Sequence, residues 1–437
     1  MTVRAAALPV LLAAAVALPA GAAAASPWSA PASFPTAGTI DADSAAPRIA
    51  IAADGTSVAA WIRGRDVAVS TGGGHGRFTR AAIAGRWRAA APAVAAGPGG
   101  QALVAWEDGT GIRVRVRAKA GARWTTRLAA PSTGSAINGV EVARVGRDRG
   151  WIVAERQFPA HGSGVPYRVR ALWLDPDGRR IGDVQDLGLG SFGLDARVAR
   201  ALTVSPGGRA TLVYTSASPG AVPATMLVAH APVGGPFGAP VSPTDGAGHG
   251  TLFAGSGGLV ASLRTARCGD AGCTGTPEAW RVDGSGALEP LGAVALDQPG
   301  RALRPSVAPI GGRGAALVFG LKDGPLPFAT QAPVRAVALA ADGTAGPLQT
   351  LTGGAASEPV ALPLSGSRVL AIWAGTRGWG AALAGPDGRF APFPTAPGPP
   401  PTAAHTNATN RDVATAGRYV AIAWARGHRV RMSVARP

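Results

Sequence analysis

The chain has 437 residues, 46% hydrophobic and 15% charged, with 42 Lys and Arg against 25 Asp and Glu and a formal net charge of +17. So many apolar and so few charged residues exclude a disordered chain and leave ample material for a core. Lys119 and Lys322 are the only lysines, and Ala, Gly, Pro and Arg are all abundant. GC-rich codons favour that set, so the arginine excess reads first as compositional bias and second as a surface that attracts polyanions.

In chain order, the first element is a leader. Arg4 is followed by an apolar run from Ala5 to Ala20 and by Ala23-Ala24-Ala25 before Ser26. This pattern predicts a secretory signal over residues 1–25, the alternative being an uncleaved anchor. The run is too short for a spanning helix and lacks a stop-transfer flank. No later segment approaches a membrane-spanning length. The expectation is therefore a secreted or cell-envelope protein with residues 26–437 forming one domain.

The mature region repeats itself. Each unit has a short apolar stretch, a Gly-containing turn, and a stronger apolar stretch ending in an aromatic. PRIAIAADGTSVAAW ends at Trp61, PAVAAGPGGQALVAW at Trp106, ALTVSPGGRATLVY at Tyr214 and PSVAPIGGRGAALVF at Phe319. PVALPLSGSRVLAIW ends at Trp373 and DVATAGRYVAIAW at Trp424, whereas two weaker units carry Glu155 and Leu263 at this position. A period-two stretch follows, as in IRVRVRAK (112–119) and HRVRMSVA (428–435), and then a Gly turn and a short strand such as GRFTRAAIA (76–84). Alternation marks strands, and Asp-Gly pairs at 177–178, 342–343 and 387–388 suit tight turns.

Four strands per unit at spacings of 45 to 59 residues match a propeller blade. The prediction is an all-β protein, a β-propeller of eight four-stranded blades, with seven as the alternative. The last unit ends after three strands, and PWSAPASFP (27–35) resembles the fourth-strand segment GPFGAPVSP (235–243). The N-terminal strand is therefore expected to close the last blade and remove an open edge. The repeated unit resembles those of exported bacterial β-propeller repeat proteins of uncharacterised function. That resemblance covers the mature chain and implies an architecture, not an activity.

Motifs for chemistry are sparse. LDPDGRRIGDV (174–184) and AGPDGRFAPF (384–393) have the Asp and Gly of a sialidase-type Asp-box turn but lack its Ser and Trp. Arg48, Arg304 and Arg411, with Glu358 and Asp412, fall near the starts of first strands and are candidates for the channel mouth. Sialidase-like enzymes use a Tyr nucleophile; of Tyr167, Tyr214 and Tyr419, the last two lie in apparent core strands. The six histidines are scattered, no metal-binding spacing occurs, and no cofactor is expected. Cys268 and Cys273, in RCGDAGC, read as one short-loop disulfide in an oxidising compartment.

Arginines 113, 115 and 117, 168 and 170, and 429 and 431 alternate along third strands. They read as a rim whose stems cover the neighbouring sheet, or as a basic girdle for anionic polymers. The connection between second and third strands is short in units one, two, seven and eight. It is long in four successive units, at 156–167, 215–224, 264–278 and 320–333. Long loops on one face predict a binding wall involving His161, Tyr167, Asp270, Lys322, Asp323 and Phe328. The expected function is a non-enzymatic binding module for a protein or acidic glycan, acting as a monomer. The alternative is a glycosidase, sialidase-like or lyase propeller working at the channel mouth. A clustered acid pair around the channel favours the enzyme; an apolar or basic channel favours binding. No nucleic-acid-binding motif is present.

Overall fold

The computed structural model describes residues 26–36, 47–86, 91–132, 137–146, 150–189, 201–205, 207–215, 226–232, 234–242, 253–254, 258–269, 272–296, 302–312, 314–321, 332–354, 356–375, 378–394, 411–426 and 428–437. These form eight antiparallel blades, each running outward from the axis in chain order. Blade 1 is Arg48–Ile51, Ser57–Arg63, Asp66–Gly72 and Ala82–Arg86. Blade 2 is Ala93–Gly97, Gln101–Glu107, Gly111–Arg117 and Thr125–Pro131. Blade 3 is Ile137–Arg144, Trp151–Gln157, Arg168–Leu174 and Arg180–Leu189. Blade 4 is Leu202–Val204, Ala210–Thr215 and Met226–Ala231, with its fourth strand reduced to a segment held by reciprocal Val228–Val241 backbone bonds.

Blade 5 is Phe253–Ala254, Leu259–Gly269, Gly272–Val282 and Leu288–Ala293. Blade 6 is Ala302–Ile310, Gly314–Leu321, Val334–Leu339 and Gln349–Thr350. Blade 7 is Ala356–Leu364, Arg368–Gly375, Gly378–Ala384 and Phe390–Pro392. Blade 8 is Arg411–Ala416, Tyr419–Arg426 and Arg429–Ala435, and its fourth strand is the N-terminal segment Ala32–Pro35. Ala32 pairs with Met432 and Pro35 with Arg429, which is the predicted closure.

The apolar second strands form the blade cores. Ser57–Ile62 and Trp151–Gln157 are buried at every position, because a neighbouring blade covers each face. The buried clusters link blades 8, 1 and 2, then 2 with 3, 3 with 4, 4 with 5, 5 with 6, 6 with 7, and 7 with 8, which closes the ring. The aromatic ending each second strand wedges into these clusters; Trp61, Trp106, Tyr214 and Phe319 are at most 2% exposed. Burying such a side chain contributes roughly 1.5–3 kcal/mol. Across the closing joint, Phe34 packs on Trp61 at 5.3 Å between ring centroids. Trp28 adds an indole hydrogen bond to the Pro394 carbonyl of blade 7.

One expectation is corrected. The predicted long loop at 264–278 is not an irregular connection in blade 5. Its second and third strands continue to Gly269 and from Gly272 as an extended hairpin, and Gly275 pairs with Ala302 of blade 6. The alternating pattern there is masked in sequence by Gly and Cys, which read as turn residues.

Candidate functional site

In an antiparallel blade, first strands start where second strands end, third strands start and fourth strands end. All connections between second and third strands, and between consecutive blades, therefore share one face, the loop face. The tight turns occupy the opposite face. Several of those turns carry an Asp whose side chain accepts the backbone N–H two residues on, as Asp175 does from Asp177 and Asp387 from Arg389. The two segments that resemble incomplete Asp boxes are turns of this kind.

The first strands line an axial channel that holds a cavity of about 310 Å³. Its wall is built from Ala, Val, Ile and Leu side chains of six blades, among them Ile51, Val94, Leu202 and Val413, together with Arg144, Thr203, Thr415 and, from a seventh blade, Ser306. Arg144 is committed to the fold. Its guanidinium donates to Gln101 Oε1 at 2.8 Å and stacks on Trp151 at 4.7 Å. Ser306 is committed too, its hydroxyl accepting the Ala361 N–H of the next blade at 3.0 Å.

Register explains that bond and places the channel-mouth candidates. Arg48, Ala93, Glu141, Ser306, Val360 and Asp412 each pair with the residue before the wedge position, so they form one ring. A polar side chain there reaches the inward-pointing N–H of the next blade. Asp412 is fully buried and accepts from Ile49 N at 2.8 Å and from its neighbour Val413 N at 3.0 Å. It thus ties blade 8 to blade 1 and does not present its carboxylate to the channel. Arg48 is half-buried at this ring position. Arg411 lies one residue earlier, opposite Trp424, and Arg304 falls in an irregularity between Leu303 and Ser306, so the three arginines are not equivalent. Glu358 lies in the first strand of blade 7. The side chains of Arg304, Glu358 and Arg411 lie outside the described residues.

The six loop candidates, His161, Tyr167, Asp270, Lys322, Asp323 and Phe328, also lie outside the described residues. In sequence each falls between a second and a third strand of blade 3, 5 or 6. Cys268 and Cys273 are direct cross-strand partners near the end of the blade 5 hairpin.

Two titratable groups carry distinct environments. Glu155 replaces the wedge aromatic of blade 3, is fully buried, and pairs with Arg170 on the adjacent strand. Burial pushes its carboxyl up, and Arg170 opposes the shift. Tyr214 donates its hydroxyl to the Leu187 carbonyl at 2.7 Å; burial, reinforced by Asp186, pushes its pKa up to about 12. A phenol so held is poorly suited to act as a nucleophile.

The third-strand arginines of blade 2 cover the neighbouring sheet. Arg115 donates to Ile83 O and Arg117 to Thr71 Oγ1, both in blade 1, while both guanidinium groups face the Trp124 ring at 5.4 and 5.3 Å. Arg113 is paired with Asp108 at 2.7 Å, and Arg168 with Asp186 at 2.9 Å. The sequence singled out Arg429 as part of a third-strand rim but not the group to which it belongs. The short connections of blades 1 and 8 place Arg63, Arg65, Arg426, His428 and Arg429 on the loop face, all exposed. The signal available was that RGR and RGHR both begin two residues past the wedge, at Arg63 after Trp61 and at Arg426 after Trp424.

No protein-family model matches the chain, and no curated protein matches it. Among solved structures, a polysaccharide lyase is 11% identical over 82% of this chain and 94% of its own, with a TM-score of 0.47. One of two prolyl endopeptidases is 11% identical over 79% of this chain, with a TM-score of 0.45; the match takes in 50% of its length, so the chain spans about half of that protein. The six-bladed fucose-recognising lectin of the fungus Aleuria aurantia is 9% identical over 84% of this chain and all of its own, with a TM-score of 0.35. Scores this low, from proteins of such different activities, carry nothing about function; the eight blades rest on strand pairing. No helix among the described residues is long and apolar enough to cross a membrane.

Proposed function

We propose that the chain is an exported propeller of residues 26–437 that binds a protein or anionic glycan at the cell surface, without cleaving it. The observation that carries this reading is the axial channel. Its described wall is lined mainly by Ala, Val, Ile and Leu, and two of its four polar side chains, Arg144 and Ser306, are spent on blade-to-blade bonds. General acid–base catalysis needs titratable groups within hydrogen-bond reach of a substrate. Three of the buried titratable groups, Asp412, Glu155 and Tyr214, instead bond to the fold. The fold itself, a rigid ring with long connections on one face, suits a binding scaffold.

Export supports a further element of the reading: Cys268 and Cys273 form a disulfide. Their register makes them the second pair out from a two-residue turn, a pair that in a regular hairpin has no mutual backbone bonds and Cα atoms about 4.5 Å apart, within disulfide reach. The proposal is tested by incubating the purified mature chain with immobilised acidic polysaccharides and with cell-envelope extracts. Retention without new reducing ends or unsaturated sugar products is expected. Turnover of any of these polymers would overturn the non-catalytic reading. N-terminal sequencing of the exported protein is expected to start at Ser26.

A further inference from the structure

We infer that the loop face of blades 8 and 1 is the anion-binding site, and that its ligand is a linear acidic polysaccharide. This rests on the binding-module reading and gives it a location, in the half of the ring opposite the long loops.

Antiparallel register puts four positions of blade 1 at one end of the sheet. From the axis outward they are Arg48, Arg63, Arg65 and Arg86, the last opposite Asp66 on the third strand. In blade 8 the same end carries Arg426 and Arg429, which pair with each other, with Pro35 outside them. Arg63, Arg65, Arg86, Arg426 and Arg429 are all exposed, and none makes an ion pair, side-chain hydrogen bond or ring contact with the described residues. The contrast with blade 2 is direct. There the same end carries Glu107 and Asp108, and Arg113 is neutralised by Asp108. Among the described residues at this end of the two blades, one acid, Asp66, stands among the five guanidinium groups.

The two blades are neighbours in the ring, joined by Asp412 and Ile49. Packed sheets stand about 10 Å apart, so the arginines form two radial rows at that spacing. Guanidinium groups bind carboxylates in a bidentate fork, and repeated charges along a polymer can engage several rows at once. A lipid surface would call for apolar anchors beside the charges, but among the described residues of blade 1 the exposed large apolar side chain is Ile83, which lies within the outermost strand. Single-stranded nucleic acid would call for aromatic platforms, but among the described residues of these two blades Trp61 and Trp424 are buried wedges and Phe34 is packed on Trp61.

The test is binding of the full mature chain to polygalacturonate, with neutral dextran, single-stranded DNA and phosphatidylglycerol vesicles as comparisons. One variant replaces Arg63, Arg65, Arg86, Arg426 and Arg429 with Gln. A control replaces Arg77, Arg123, Arg179, Arg180 and Arg389, five exposed arginines on the turn face. Both are checked for an unchanged thermal unfolding midpoint. Polygalacturonate is expected to bind in preference to dextran, with affinity falling as salt rises. The loop-face variant is expected to lose about tenfold or more and to flatten the salt dependence, while the control keeps both. Equal losses in the two variants would show diffuse charge and overturn the site. Stronger binding of DNA or vesicles through the same arginines would overturn the polysaccharide. A loop-face variant that binds normally would remove the location yet leave the binding-module reading standing; cleavage of the polymer would remove that reading instead.

Discussion

Asp412 has no exposure, and its two oxygens accept the backbone N–H groups of Ile49 and Val413. Asp412→Ala removes both bonds from the ring joint and is expected to cost roughly 1–3 kcal/mol in urea unfolding. Glu155 and Arg170 make the opposite kind of pair, an ionic one set where other blades bury an aromatic. Arg170→Ala leaves a buried carboxylate alone and is expected to cost about 3–5 kcal/mol, whereas replacing both residues with Leu is expected to be neutral or stabilising. Burial raises the Glu155 pKa on folding, so the folded chain holds this proton more tightly than the unfolded one. Its contribution to stability is present at acid pH and fades as pH rises through the window above the ordinary value of 4.5. The double Leu variant is expected to lose that component of the pH–stability profile measured by urea titration.

At the scale of the element, each blade is shaped by what its neighbour must insert. Gly85, in the outer strand of blade 1, leaves a notch for the wedge of blade 2; a Cβ there would sit 2.6 Å from the Trp106 ring. Gly85→Val is expected to cost about 1–3 kcal/mol by overpacking, read as a lower unfolding midpoint. The blade 5 hairpin departs from the pattern because its second and third strands run on past the ring. If Cys268 and Cys273 are joined, the oxidised chain weighs two hydrogens less than the reduced one. Cys268→Ser with Cys273→Ser then loses at most about 2 kcal/mol, since the closed loop is short. Equal masses with and without reductant would rule the bridge out.

Over the whole molecule, stability depends on closing the ring. The segment Ala32–Pro35 supplies the outer strand of blade 8, while Trp28 and Phe34 reach blades 7 and 1. Deleting residues 26–36 opens the edge of the Arg429–Ala435 strand and strips one side of Trp61. The expected result is a lower unfolding midpoint together with association through the bared strand, detected by light scattering. A truncated chain that stayed monomeric with an unchanged midpoint would show that closure by the N-terminal strand is dispensable.

The blades, their number and their closure were legible in the chain itself. Strand alternation, glycine turns and a wedge aromatic every 45 to 59 residues are local signals, and local sterics and burial decide them. The weak units at Glu155 and Leu263 proved to be blades as well, because packing on both sides tolerates one ion pair or one Leu in place of an aromatic. The candidate site was much less legible. Asp412 read as a channel residue, since nothing in sequence reports the Ile49 N–H that lies beside it from 363 positions away along the chain. The blade 5 hairpin read as a loop, and the connections of units one and eight, at opposite ends of the chain, read only as short. Only ring closure, which sets the first blade against the last, turns them into one surface, because electrostatic proximity is a property of distance in space and not of distance along the chain.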